Sequence, residues 1–173
     1  SSDYGVTWTT IYPGGSFWSA VGISGDGTHM TGMTDSGSTF YISSNPGATW
    51  SSVTVSSLNL NRVVLSPTGQ YQMALQTRGG SLYISSNYGV DWTDVSSVQS
   101  PSVISISSSG QYQIAAKSGQ FLYLSNNFGT TFETVGISSN WHSVAISGDG
   151  SITVVAQSNG YIYRSDCQTL PLT

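Results

Sequence analysis

Four stretches of this chain spell nearly the same phrase: "SSDYGVTW" at 1–8, "SSNPGATW" at 43–50, "SSNYGVDW" at 85–92 and "SNNFGTTF" at 125–132. The third position of the phrase falls on Asp3, Asn45, Asn87 and Asn127, and a damaged fifth copy, "RSDCQTL", puts Asp166 there. The steps between them are 42, 42, 40 and 39 residues. A unit of that length stacks on its neighbours to bury a continuous core, and a period of about 40–45 residues is that of propeller blades or similar units.

Other segments keep the same phase. "GISGDG" at 22–27, "VLSPTG" at 64–69, "SISSSG" at 105–110 and "AISGDG" at 145–150 each end in a glycine-bearing turn. The runs "THMTGMT", "QYQMALQ", "QYQIAAK" and "SITVVAQ" follow, then a polar loop, then "TFYIS", "SLYIS", "FLYLS" or "YIYRS". Their period-two alternation reads as strand, and no segment carries a helical stripe. Each repeat therefore holds four short strands, A to D, and one four-stranded sheet per repeat is a propeller blade. A β-trefoil has three units where this chain has four. Solenoid coils are shorter, and the Gly-His and Trp-Asp marks of a WD40 array are missing.

The expected fold is thus all-β: a four-bladed β-propeller of four-stranded antiparallel blades in a single domain, 1–173. Blade 1 covers about 12–53, blade 2 about 54–95, blade 3 about 96–135, and blade 4 about 136–166 plus 1–11. The C-terminal repeat lacks a good D strand, because Leu170-Pro171 breaks it and proline cannot donate to a ladder. "SSDYGVTWTTI" at the N-terminus reads as a turn and D strand. The N-terminal strand is expected to complete the C-terminal blade and close the ring, removing an open sheet edge. The rival is a swapped or paired assembly in which that strand completes a neighbouring copy.

The phrase S-[SN]-[DN]-x-G-x-[TD]-[WF] resembles the Asp-box, or BNR repeat, found in sialidases and many other propellers, and the resemblance covers nearly the whole chain. Asp3, Asn45, Asn87 and Asn127 are short polar groups able to cap backbone N–H groups in a tight turn. Gly5, Gly47, Gly89 and Gly129 suit a positive φ. Trp8, Trp50, Trp92 and Phe132 are expected to drop into the core. The resemblance implies a structural role for these residues, on turns opposite the usual ligand face. Gln168 replaces glycine in the fifth copy, which is not expected to form a working turn. The phrases "SPTGQYQMAL" and "SSSGQYQIAA" look like propeller segments of large-virus and phage surface proteins and of extracellular proteins.

A sialidase-like activity would need three converging arginines, a Tyr–Glu pair and an acid/base aspartate. By phase Arg62, Arg78 and Arg164 do not converge, and Glu133, the only glutamate, lies on an outer D strand. Asp91 and Asp94 read as surface charges, and Asp26 and Asp149 as turn formers. His29 and His142 lie beside no nucleophile motif, and two His with one Cys have no zinc spacing. No catalytic residue, metal or cofactor is assigned, and a glycosidase ranks third among the readings.

The B–C loops and D–A connections should share the face opposite the repeated turns. They bring Tyr12, Trp18, Asp35, Asn61, Arg78, Lys117, Asn140, Trp141, His142 and Asn159 toward that face as candidate ligand residues. Aromatic rings beside amides suit sugars, although Trp18 and Trp141 occupy matching positions before A strands and read equally well as packing. With four fixed cations and a net charge of −4 there is no basic stripe for nucleic acid, and no apolar run reaches membrane-spanning length. The absence of an initiator Met and of a signal-peptide pattern suggests a trimmed product or a domain cut from a longer chain. Only 7% of residues are charged, and the hydroxyl-rich composition suits an extracellular or virion-surface setting. The leading reading is a non-catalytic adhesion module that recognises a glycan or cell-surface receptor. A structural subunit of a fibre, appendage or coat is the alternative, as a homo-oligomer or as part of a larger chain.

Overall fold

The computed structural model describes residues 3–11, 14, 17–34, 39–55, 60–76 and 80–166. Among them are fourteen strands and no helix, so the chain is all-β. β1 (Trp18–Ile23), β2 (Met30–Thr34), β3 (Thr39–Ser43) and β4 (Ser51–Thr54) form one antiparallel sheet in chain order. β5 (Leu60–Leu65), β6 (Gln72–Gln76), β7 (Leu82–Ser85) and β8 (Thr93–Val95) form a second. The remaining strands are β9 (Val103–Ile106), β10 (Gln113–Ala116), β11 (Ser118–Ser125), β12 (Glu133–Ile146), β13 (Ile152–Gln157) and β14 (Ile162–Asp166). They make a third, six-stranded sheet.

That third sheet contains two repeats joined through β12. Its first half pairs with β11, matching Leu122 with Val135, and its second half pairs with β13, matching Val144 with Val155. The segment 133–146 contains no proline, so no ladder donor is lost and the strand runs on across the expected boundary at 135.

The inner strands β1, β5, β9 and the second half of β12 succeed one another in contact. Apolar clusters fill the three junctions: Met33, Phe40, Leu60, Val63 and Ala74 in the first, Leu75, Leu82, Ile104 and Ala115 in the second, Ile114, Leu122, Trp141 and Val155 in the third. β6 and β10 are therefore covered on both faces and almost wholly buried, while β13, in the last repeat, alternates buried with open positions. Alternation weakens wherever a sheet has a neighbour on each side.

The ends differ from expectation. Residues 3–11 form no strand, and β14 stands at the edge of its sheet with β13 as its neighbour. β12 and β1, which a closed ring would bring together, make no contact comparable to the other inner-strand junctions. The expected completion of the last repeat by the chain's own N-terminal strand is thus not formed.

Candidate functional site

Each repeated turn is built the same way. The amide of Thr49 donates to Asn45 Oδ1 (2.9 Å), that of Asp91 to Asn87 Oδ1 (2.9 Å), that of Thr131 to Asn127 Oδ1 (3.0 Å), and that of Thr7 to Asp3 Oδ1 (2.9 Å). The indoles of Trp8, Trp50 and Trp92 donate back to the carbonyls of Gly5, Gly47 and Gly89. All four turn glycines hold positive φ, from 78° at Gly47 to 88° at Gly5.

Sequence reasoning missed a third component. The hydroxyls of Ser43, Ser85 and Ser125 accept the amides of Gly47, Gly89 and Gly129 at 3.0 Å and donate to Asn45, Asn87 and Asn127. The invariant serine two places before each Asn was the available signal. Arg164 stands there in the fifth copy. A further regularity is aromatic: Tyr88 and Phe128 adopt φ of 64° and 61° and stack on His29 (4.4 Å) and Tyr71 (4.8 Å) of the preceding repeat. Left-handed backbone costs an ordinary residue roughly 1 kcal/mol, which ring packing offsets.

Trp8 departs from this pattern. Expected in the core, it is 80% exposed, because its turn has no sheet beneath it. Trp50, Trp92 and Phe132 are half-buried.

At the opposite end, Tyr12, Asp35 and Arg78 lie outside the described residues. Trp18, Leu60 and Trp141 occupy equivalent positions, each just before a register shift at the start of an inner strand. Leu60 is fully buried and Trp141 is 3% exposed, whereas Trp18 is 39% exposed and meets Tyr41 edge-on at 5.1 Å. Trp141 is thus buried where Trp18 is open. Trp18 is open because no sheet precedes its own. Asn61 is exposed one place beyond Leu60, where Ser19 Oγ donates to the Leu60 carbonyl at 2.7 Å.

The structure does gather several of the others. Ser118 Oγ donates to Asn140 Oδ1 at 3.1 Å, and the Ser158 amide donates to the Asn140 carbonyl at 3.1 Å. The β10–β11 and β13–β14 turns are thereby docked on the middle of β12, with Lys117 and Asn159 beside them and His142 exposed two residues on. The Gln157 amide donates to the Tyr161 carbonyl, closing the turn that leads to Tyr161, itself 62% exposed. Sequence reasoning did not name Tyr161, although it follows Asn159 in the same polar loop.

Several carboxylates are engaged locally. The Ser24 hydroxyl, then the Thr28 hydroxyl and amide, hold the Asp26 carboxyl far below its ordinary range. Asp149 is lowered to about 2, first by the Ser147 hydroxyl and then by the Ser151 amide. Asp91 accepts from Asn87 and Asp94 from Ser81. With their carboxyls held that low, Asp26 and Asp149 are poor general acids near neutral pH. No three His, Cys, Asp or Glu side chains cluster as metal ligands among the described residues.

The GH74 enzyme of Niastella koreensis superposes with a TM-score of 0.67 at 18% identity, over 88% of this chain and 29% of that one. Hydrazine synthase of Kuenenia stuttgartiensis gives 0.68 at 17% identity, over 94% and 48%. The likeness is to β-propeller proteins. The computationally designed Ika4 protein gives 0.70 at 9% identity, over 91% of this chain and 95% of that one. The chain spans less than half the length of the two natural proteins, and at these identities the likeness concerns the fold alone. No family model matches the chain, and no curated protein matches it.

Proposed function

We propose that the four repeats are blades of an Asp-box propeller-type module that works by binding or display rather than by chemistry. Its ligand is a glycan, free or on a receptor, and its setting is extracellular or at a virion surface. The observation that carries the reading is the polar ledge centred on Asn140. There Ser118 and Ser158 fix the asparagine; Lys117 and Asn159 are their chain neighbours, His142 lies exposed two residues further along β12, and the exposed Tyr161 follows in the β13–β14 turn. Amides and an ammonium meet hydroxyls, while an exposed tyrosine face covers apolar C–H groups, which is the chemistry of a shallow sugar site. In support of a non-catalytic role, Asp26 and Asp149 are engaged by the hydroxyls and amides of their own turns.

The test is a glycan array followed by calorimetry on the wild-type chain and on Asn140→Ala and Asn159→Ala. Retention of a defined glycan class, weakened about tenfold or more by either substitution, is expected. Failure to retain any glycan, or indifference to both substitutions, overturns the site. Turnover of fluorogenic glycosides would overturn the non-catalytic part.

A second reading, a structural subunit of a fibre, appendage or coat, is favoured by a different observation: the open edge of β14 and the exposed apolar face of β1.

A further inference from the structure

Three successive junctions, β1 with β5, β5 with β9 and β9 with β12, repeat one kind of interface, and both ends of the series are open. At the leading end Phe17, Trp18, Val21 and Ile23 are exposed, and at the trailing end so are Val154, Tyr161, Ile162 and Tyr163.

Beside the trailing edge lies an apolar cavity of about 280 Å³, lined by Leu122, Ile137, Trp141, Val155 and Tyr163. The buried indole N–H of Trp141 finds no acceptor there among the described residues. The repeat identifies the position. Leu122 is the counterpart of Phe40 and Leu82, and Tyr163 that of Tyr83 and Tyr123. In the two preceding junctions the place is taken by the aromatic that ends the next repeated turn. Trp92 stacks on Phe40 with centroids 4.1 Å apart, and Phe132 packs against the cluster that contains Leu82 and Tyr123. Tyr83 and Tyr123 are each 7% exposed, but Tyr163 is 40% exposed. The fifth phrase carries Arg164, Gln168 and Pro171 where the turn serine, glycine and aromatic belong.

Residues 3–11 have the complementary property. They form an intact turn that rests on no sheet, with Tyr4 and Trp8 exposed. Tyr4 holds a φ of 55°, like Tyr88 and Phe128, yet no ring packs on it among the described residues. Their stacking partners His29 and Tyr71 have a counterpart in Tyr112, which lies against Gly150. The register agrees as well. Val53, Val95 and Val135 pair with Phe40, Leu82 and Leu122, and the same offset pairs Ile11 with Ile162.

We propose that the N-terminal segment of a second copy of this chain adds as a strand to the outer edge of β14. It pairs Thr9 with Arg164 and Ile11 with Ile162, seats Trp8 in the cavity against Leu122 and Tyr163, and lays Tyr4 on Tyr112. The site is incomplete without that copy. The chain's own segment runs past the other end of the series, where Ile11 Cδ1 lies 3.0 Å from the position a Gly47 Cβ would take. The added strand continues the series of junctions already present within the chain and covers an open edge. The contact is head-to-tail, so it closes into a ring of copies or extends as a filament according to the rotation between them. This gives the assembly reading its mechanism and is independent of the glycan site, because its test contains no sugar.

Directly paired residues on antiparallel strands lie within disulfide reach. In a Cys167→Ser background, Thr9→Cys carrying one affinity tag is mixed with Arg164→Cys carrying another, and both are oxidised. A covalent pair of differently tagged chains is expected. It should be lost in Trp8→Ala, whose self-association, followed by light scattering across concentrations, should weaken about tenfold or more. Trp8 lies outside the core clusters, so this variant should keep the wild-type circular dichroism. The double variant Thr9→Cys/Arg164→Cys supplies the opposing outcome. A cross-link formed only within single chains would show self-closure and overturn the proposal. So would the absence of any cross-link, or a wild-type chain that stays monomeric at high concentration.

Discussion

Phe40 and Trp92 lie face to face across a sheet boundary, their ring centroids 4.1 Å apart and their planes 5° from parallel. Phe40 belongs to β3, whereas Trp92 ends the turn between β7 and β8, so the pair locks consecutive repeats. Phe40 is fully buried. Phe40→Ala should cost about 3–5 kcal/mol, and Trp92→Ala somewhat less because the indole is half-buried. Urea denaturation of both single variants and the double variant checks this. Strict additivity would mean that the stack does not couple the two sheets.

The turn serines make a second prediction. Ser85 Oγ is the acceptor for the buried Gly89 amide, so Ser85→Ala leaves that N–H unsatisfied and should destabilise by about 1–3 kcal/mol. Ser43→Ala and Ser125→Ala should behave alike. A neutral result at all three would show that the hydroxyl is incidental to the turn.

A third prediction concerns acid. Asp26 and Asp149 have folded-state pKa values below the ordinary 3.8, so their contribution is fully present above that value and is lost as pH falls toward 2. Both carboxylates are exposed, so the effect is small. Thermal midpoints measured between about pH 5 and pH 2 should fall less steeply in Asp26→Asn/Asp149→Asn than in the wild type. Parallel curves would remove these two groups from the account of acid sensitivity.

Two glycines separate backbone strain from packing. Gly110 and Gly119 have φ of 79° and 78°, but a Cβ on Gly110 would fall 2.2 Å from the Tyr71 ring, whereas one on Gly119 meets nothing within 4 Å. Gly119→Ala should cost about 1 kcal/mol, the left-handed penalty alone. Gly110→Ala should cost clearly more, because Tyr71 must leave its stack on Phe128. Equal losses on chemical denaturation would refute the packing component.

Much of this architecture is legible in the chain because it is local. An Asn at 45, 87 or 127 caps an amide four residues on, and the strands on either side follow from alternation. The ledge around Asn140 was partly legible: Lys117, Asn140, His142 and Asn159 were named, and Tyr161 was not. Trp18 and Trp141 show where local reasoning stops. They share one pattern and one register position, yet the first is half-exposed and the second buried, because only the second has a sheet in front of it.

From the residues alone follow the period, the strand order within each repeat and the Asn–Gly frame of the repeated turn, since these depend on contacts made within one repeat. Whether the first and last repeats meet was decided by the tertiary structure. That outcome depends on the summed rotation from sheet to sheet, a quantity no single turn carries, and it leaves Trp8 and the edge of β14 uncovered within one chain.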